Sequence, residues 1–214
     1  MTTPVTPDQL CAYLSEQGIA YHRTDHPAVF TVAETAPHRD EMTGHHTKNL
    51  FLKDKKGRIF LVSAEAHARI DLKRLHERIG ASGRLSFGSA ELLMEKLGVT
   101  PGSVTAFAVI NDRAGDVTMV LDSTLASGED VNFHPLINTA TLRVSRDDLL
   151  AFFRSTGHEP LIVDLPVPPM DRTAEAPHLW SNCAGGRQGT PAPPGHLTKD
   201  DPCWSMARRP SNPA

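Results

Sequence analysis

The chain has 214 residues, and 22 lysines and arginines against 25 aspartates and glutamates give a formal net charge of -3. This balance excludes a histone-like polybasic protein, and a hydrophobic fraction of 39% is enough to build a buried core. No apolar run is long enough to span a membrane, and the first nine residues lack the basic and apolar regions typical of a secretory signal, so we expect a cytoplasmic protein.

The composition changes abruptly after residue 164. Ten of the 17 prolines, both tryptophans and two of the three cysteines lie beyond this point. The segment has no apolar periodicity and contains repeated helix and strand breakers. We therefore predict one folded domain over residues 1–164 and a disordered tail over residues 165–214, to which no function is assigned.

Helix-capping signals mark the start of the domain. A capping box at residues 6–9 predicts a helix that ends at Gly18, and a strand is expected over residues 19–23. A second capping box at residues 31–34 predicts a short helix, because that helix must end before Pro37.

The middle of the domain alternates between strand and helix signals. Two apolar, β-rich runs at 47–52 and 58–63 flank a polar stretch with a glycine, which predicts a hairpin. Asp71 is expected to cap a helix that runs to Gly80. Ser89 is expected to cap another that ends at Gly98.

The last part of the domain carries the remaining elements. A second hairpin is predicted with arms at 105–110 and 117–121, and a helix is predicted to begin after Ser145. Further strands are expected over 131–133, 141–144 and 161–163. The sum is about seven strands and four or five helices, which predicts an α+β (mixed α/β) fold with one mixed, largely antiparallel sheet and flanking helices.

Four common motifs of enzymes and nucleotide-binding proteins are missing from the sequence. It contains no phosphate-binding Walker loop, no dinucleotide-binding glycine motif, no His-Glu-x-x-His and no Gly-x-Ser-x-Gly. Five of the eleven histidines fall within the first 46 residues, but their spacing does not suit a metal site, and Cys11 is interpreted as a small core residue. We predict neither a metal nor another cofactor.

Positive charge is concentrated between residues 48 and 78, with nine basic residues against four acidic ones. Two interpretations stay open, a surface that follows a phosphate backbone and a solvated hairpin tip with a helix face. Lys48 differs from the others because strand alternation places it on one face with Leu50 and Leu52, whereas Asn49 and Phe51 lie on the opposite face. A cation among leucines favours a functional pocket.

Two further segments have the composition of ligand-binding loops. Residues 98–105 combine two glycines and a proline directly before an apolar run, which indicates a tight loop whose amides can approach a ligand. His134 precedes a proline at the end of a strand, so an extended backbone directs its ring. Each of these signals is weak when taken alone.

Taken in order, four segments resemble one known family: 21–32, 47–52, 98–105 and 132–135. They are similar to the YbaK and prolyl-tRNA synthetase insertion-domain family of trans-acting editing enzymes, and most similar to its freestanding ProX/PrdX branch, which removes alanine from tRNA(Pro). The resemblance covers most of residues 1–164. It implies a mixed α/β fold and hydrolysis of an aminoacyl ester without a protein nucleophile.

The resemblance also implies roles for individual residues. The catalytic candidates are Lys48, Gly102 and His134. The family's Gly-x-x-x-Pro motif maps onto residues 102–106, where Ala106 replaces the proline. The implied substrate-binding residues are Phe30, Thr31, Val32, Asn49, Ser103, Val104, Thr105 and Ala106.

The implied partner is the acceptor end of mischarged tRNA(Pro), with prolyl-tRNA synthetase as a further candidate and no membrane. Two alternatives stay open. The enzyme could deacylate Cys-tRNA(Pro) or another mischarged tRNA, because one sequence does not define the volume of the pocket. The chain could also be a catalytically silent tRNA- or synthetase-binding module, which the alanine at position 106 and the added tail motivate.

Overall fold

A computed structural model describes residues 3–28 and 43–169 of the chain. The short helix predicted from residue 31 and the tail from residue 170 onward lie outside the described residues. No helix within the described ranges is long and apolar enough to cross a membrane.

Eight strands within the described ranges form one sheet in the order β1-β7-β6-β2-β3-β5-β8, with β4 paired to β2. Four neighbouring pairs are antiparallel and three are parallel, so the sheet is mixed, as predicted. The strands are β1 (Tyr21–Asp25), β2 (His45–Lys53), β3 (Ile59–Glu65), β4 (Ser86–Phe87), β5 (Val117–Asp122), β6 (Asp130–Phe133), β7 (Ala140–Ser145) and β8 (Leu161–Val163).

The helices begin where the sequence places capping side chains. Thr6 forms the predicted reciprocal capping box with Gln9, and the hydroxyls of Ser89 and Ser145 each accept a hydrogen bond from a backbone amide three residues further on. The described helices are α1 (Pro7–Glu16), α2 (Leu75–Arg78), α3 (Ala90–Leu97), α4 (Ser123–Ser127) and α5 (Arg146–Ser155), with a 3-10 helix over Ala106–Asn111.

Two apolar clusters cover the two faces of the sheet. Leu61, Met119 and Leu121 point into the larger cluster, which also contains side chains of α1, α3, α5 and the 3-10 helix. Phe60 and Val62, the neighbours of Leu61 in β3, point into the smaller cluster beneath α2. The central strands are therefore buried on both faces.

The second predicted hairpin is wrong. Its first arm is the 3-10 helix, and β5 pairs in parallel with β3 instead of folding back on a preceding strand. The side chain of Thr105 caps the helix by accepting a hydrogen bond from the Phe107 amide. Residues 106–109 are buried, and an apolar run buried on every side carries no periodicity that separates a helix from a strand.

The helix predicted from Asp71 to Gly80 is shorter than expected. Its helical part is α2, and residues 71–74 form a turn in which the Asp71 carbonyl accepts from the amides of Arg74 and Leu75. The Asp71 amide donates to the Pro166 carbonyl, so this backbone is bonded to a segment far along the chain. The Asp71 carboxylate also accepts a 3.0 Å hydrogen bond from the Lys73 amide and so caps this turn.

Candidate functional site

Two of the predicted site residues, Lys48 and His134, follow the point where two parallel strands separate. Strand β2 pairs with β6 only at His45–Val131 and His46–Asn132, and further along it pairs with β4 at Leu52 and Lys53. Between these pairings this edge of β2 has no partner strand in the described sheet, although the Phe51 carbonyl accepts a hydrogen bond from the Gly88 amide.

Lys48 and His134 lie at the same level of this opening. Each follows the last β2–β6 pair, His46–Asn132, by two residues. The hydroxyl of Thr47 donates a 2.7 Å hydrogen bond to the Asn132 carbonyl, which holds the two chains together at the point of separation. The register thus places two of the three predicted catalytic residues, Lys48 and His134, at the same level beyond the last pair.

Lys48 is half-buried, and its ammonium group donates a hydrogen bond to the Ala68 carbonyl. Burial lowers the pKa of Lys48, whereas the carboxylates of Glu65 and Asp122 oppose this shift by stabilising the ammonium. The register places Lys48 of β2 beside Ala64 of β3. Asp122 lies on the same face of the sheet in the next strand, β5. The Asp122 side chain is buried, with 5% exposure.

Asn49 points to the opposite face of β2. Its side-chain nitrogen donates a 3.1 Å hydrogen bond to the Val104 carbonyl, and its side-chain oxygen accepts a 2.5 Å hydrogen bond from the hydroxyl of Ser63. Ser63 is fully buried. These contacts anchor the 102–106 loop, and the substrate-binding role predicted for Asn49 stays a prediction.

The 102–106 loop is a turn followed by a helix start. Gly102 has a φ of 89°, a left-handed conformation that favours glycine, and the Ser103 amide donates to the Thr100 carbonyl. Thr105 and Ala106 are buried, and Val104 packs against the larger cluster. Between described residues, no hydrogen bond joins Lys48 to this loop or to His134.

Hydrogen bonding defines the tautomer of His134. Its Nδ1 lies 2.9 Å from the Ala140 carbonyl, so Nδ1 carries a proton and donates it there, which leaves the Nε2 lone pair of the neutral ring available. Burial lowers the pKa of His134, the hydrogen bond to Ala140 opposes that shift, and the nearby His26 lowers the pKa further. The imidazole is therefore biased toward its neutral form.

Phe30, Thr31 and Val32, predicted for the aminoacyl end of the pocket, lie outside the described residues. Their assignment stays a prediction.

The comparison with protein families decides the relationship. Residues 26–152 match the model of the aminoacyl-tRNA editing domain. The chain belongs to the aminoacyl-tRNA editing domain family. The matched range contains every described residue predicted for the site.

Curated relatives of this editing domain cover most of its length. The chain is 42% identical over 159 residues to the prolyl-tRNA synthetase associated domain-containing protein 1 of Xenopus laevis. This alignment covers 72% of the chain and 94% of the relative. The chain is also 38% identical over 148 residues to the prolyl-tRNA editing protein ProX of Acetoanaerobium sticklandii. This alignment covers 69% of the chain and 90% of ProX.

A crystal structure described as that of a candidate trans-editing enzyme for prolyl tRNA synthetase has the same fold. The two structures superpose with a TM-score of 0.57 at 21% identity, over 78% of this chain and all of the other. This likeness supports the mixed α/β architecture of the editing domain.

Sequence reasoning missed three residues of the site in this editing domain. The His26 ring lies 6.0 Å from the His134 ring and its Nε2 is 2.9 Å from the Thr141 hydroxyl. Ser63 supports Asn49, and Asp122 is the buried carboxylate near Lys48. His26 stands directly before Pro27 and could have been found as the counterpart of His134, which also precedes a proline. Ser63 and Asp122 carry no local signal, because strand pairing alone makes them neighbours.

Proposed function

We propose that this protein is a trans-editing hydrolase that deacylates mischarged tRNA(Pro), with Ala-tRNA(Pro) as the preferred substrate. The observation that carries the proposal is the half-buried Lys48 at the separation of β2 and β6, in a chain of the editing family. The name of the ProX relative supports tRNA(Pro) as the substrate.

Lys48 is assigned to binding of the substrate's negative charge. A half-buried ammonium offers three donors, and its only hydrogen bond to a described residue uses the Ala68 carbonyl. A terminal phosphate or the polarised ester oxygen can occupy a remaining donor direction. This contact places the 3' end without a covalent step.

The 102–106 loop is assigned to stabilising the tetrahedral intermediate. A glycine-led turn allows backbone amides to approach the ester closely, and the Asn49 contact to Val104 keeps that backbone in position. One pre-positioned donor of this kind typically contributes about 3 to 4 kcal/mol to transition-state stabilisation.

Water attacks the ester carbonyl, and the bond from that carbonyl carbon to the ribose oxygen breaks. The amino acid leaves as a carboxylic acid and the ribose oxygen recovers a proton, so no protein nucleophile is needed. The free ribose hydroxyl beside the ester orients the water. The Nε2 atom of neutral His134 is a suitable acceptor for a hydrogen bond from that water or from the substrate's ammonium group.

Selectivity for alanine is assigned to the size of the pocket. A synthetase site for proline cannot strongly reject a smaller amino acid, because each missing methylene changes binding by only about 1 to 3 kcal/mol. A second, smaller pocket that admits alanine and excludes proline removes the error and spares the correct product.

The test uses purified full-length protein and tRNA(Pro) charged with alanine, cysteine, serine or proline. We expect release of alanine well above the buffer rate, little release of proline, and loss of activity in Lys48→Ala. Absence of alanine release would overturn the proposal, and tRNA binding without turnover would point to the silent binding module. Faster release of cysteine or serine than of alanine would redefine the substrate.

A further inference from the structure

The cations of residues 48–78 differ from those elsewhere in the described chain. Of the nine, only Arg58 and Arg74 form ion pairs with carboxylates of the described ranges, with Asp54 and Glu77. Five of the seven lysines and arginines outside the segment have such a partner: Arg23, Lys96, Arg143, Arg146 and Arg154. Positive charge in the segment is thus largely uncompensated.

This cationic segment is continuous with the candidate site. Ala68, whose carbonyl accepts from the Lys48 ammonium, is followed directly by the exposed Arg69. Lys73 and Arg78 are also exposed, and they flank Leu75, which is buried in the smaller cluster. Because that cluster covers the face of the sheet to which Lys48 points, the cations and Lys48 lie on the same side.

The rest of the described domain has the opposite charge. Outside residues 48–78 the described ranges carry fourteen acidic residues and seven basic ones. A polyanion that approaches such a surface is repelled over most of it and attracted to one face. The attractive face is the one that adjoins Lys48.

We propose that Arg69, Lys73 and Arg78 bind the phosphate backbone of the tRNA acceptor stem while the 3' end reaches Lys48. The inference rests on the proposed function, because the stem is the part of the substrate adjacent to the reacting end. Lysines and arginines that contact phosphates release condensed counterions, which makes the binding independent of sequence and sensitive to salt. The segment acts in affinity and orientation, and chemistry belongs to the Lys48 site.

The test compares two variants that each remove three positive charges. The first is Arg69→Gln/Lys73→Gln/Arg78→Gln, and the control is Arg113→Gln/Arg146→Gln/Arg154→Gln, whose residues lie outside the segment. Binding of uncharged tRNA(Pro) is titrated at several salt concentrations, and thermal unfolding checks that both proteins are folded. Deacylation is measured with alanyl-tRNA(Pro) and with an alanylated CCA trinucleotide, which has no stem.

We expect the first variant to bind tRNA(Pro) about tenfold or more weakly and to have a salt slope smaller by about 2 to 3, because each phosphate contact contributes roughly 0.9 to that slope. Its activity on the trinucleotide should equal that of the wild type, and the control should stay within about twofold on every substrate. If no protein hydrolyses either substrate but the difference in tRNA binding persists, the proposed function fails and this inference stands.

Three results would overturn the inference. Unchanged binding of both tRNA(Pro) and prolyl-tRNA synthetase in the first variant would mean that the segment is a solvated face. Equal weakening in the control would mean that net charge alone matters. Loss of affinity for prolyl-tRNA synthetase with normal tRNA binding would identify the segment as a protein interface.

Discussion

The side-chain amide of Asn49 donates a 3.1 Å hydrogen bond to the Val104 carbonyl and so connects strand β2 to the loop that begins at Gly102. The opposite end of the same amide accepts from Ser63, a fully buried serine of the neighbouring strand. Both polar ends of Asn49 are therefore satisfied within the protein. A satisfied, partly buried network of this kind makes the position of the loop rigid.

Asn49→Asp should lower kcat because it keeps the size of the side chain but removes the donor to Val104. A displacement of about 1 Å in a catalytic loop can reduce the rate roughly 100-fold, so we expect a decrease of about 10- to 100-fold with a nearly unchanged KM. Ser63→Ala is the matched control, since it leaves that donor in place, and its effect should be smaller. Single-turnover deacylation kinetics provide the measurement, and a wild-type kcat in Asn49→Asp would remove Asn49 from this role.

Lys48 should titrate below the usual pKa of lysine because burial disfavours its ammonium form. Asp122→Asn should lower the pKa of Lys48 further, since it removes a carboxylate that stabilises the ammonium. Side-chain NMR of the lysine Cε and Nζ atoms against pH measures both values. A pKa of Lys48 that is unaffected by Asp122→Asn would exclude the electrostatic link.

The same shift has a consequence for stability. A lysine whose pKa is lower in the folded than in the unfolded protein decreases the free energy of unfolding at neutral pH. This destabilisation is relieved as the pH rises from the pKa of the folded state to the pKa of the unfolded state. Lys48→Met should therefore leave the free energy of unfolding at pH 7 equal to or above that of the wild type while it abolishes deacylation. Urea unfolding at pH 7 and at pH 10 tests this, and marked destabilisation at pH 7 would contradict it.

Ala106→Pro should be tolerated. Ala106 is the first residue of the 3-10 helix, after the capping Thr105, and proline is favoured there because the amide of that position has no partner within the helix. Proline also restricts the unfolded chain, which stabilises a protein by about 0.4 to 1 kcal/mol at compatible sites. We expect an unchanged or slightly higher Tm with retained activity. A fall in Tm of several degrees would show that the backbone at residue 106 follows a path that proline cannot adopt.

The predictable parts of the fold are those with local causes. Capping side chains at Thr6, Ser89 and Ser145 mark helix starts, and polar stretches with glycine mark turns. The parallel pairs β2–β6 and β3–β5 arise from packing between distant segments, and no local pattern reports them. The 3-10 helix was missed for a related reason, since burial on every side removes the periodic signal.

The site shows the same division. Candidate residues could be named from segments in the sequence, and strand alternation correctly placed Lys48 and Asn49 on opposite faces. Their contacts could not be named, because Val104, Ser63 and Asp122 become neighbours only through strand pairing and loop closure. The resemblance grouped Asn49 with the substrate, and the structure adds its hydrogen bonds to the Val104 loop and to Ser63.

A buried pair far from the site supplies a stability test. The Nε2 atom of His158 lies 3.1 Å from the Oδ2 atom of Asp112. Both residues are buried, with exposures of 5% for His158 and 4% for Asp112. The Asp112 carboxylate also accepts hydrogen bonds from the amides of Asp116 and Val117. This carboxylate thus organises the turn between the 3-10 helix and β5.

His158→Ala should destabilise the protein by about 1 to 3 kcal/mol, because a buried carboxylate oxygen loses one of its donors. Activity at a permissive temperature should remain, since neither residue contacts the Lys48 site. Urea unfolding and deacylation kinetics are measured on the same preparation, with the exposed Glu159→Ala as a neighbouring control. Selective loss of deacylation in a fully stable His158→Ala would contradict a purely structural role for the pair.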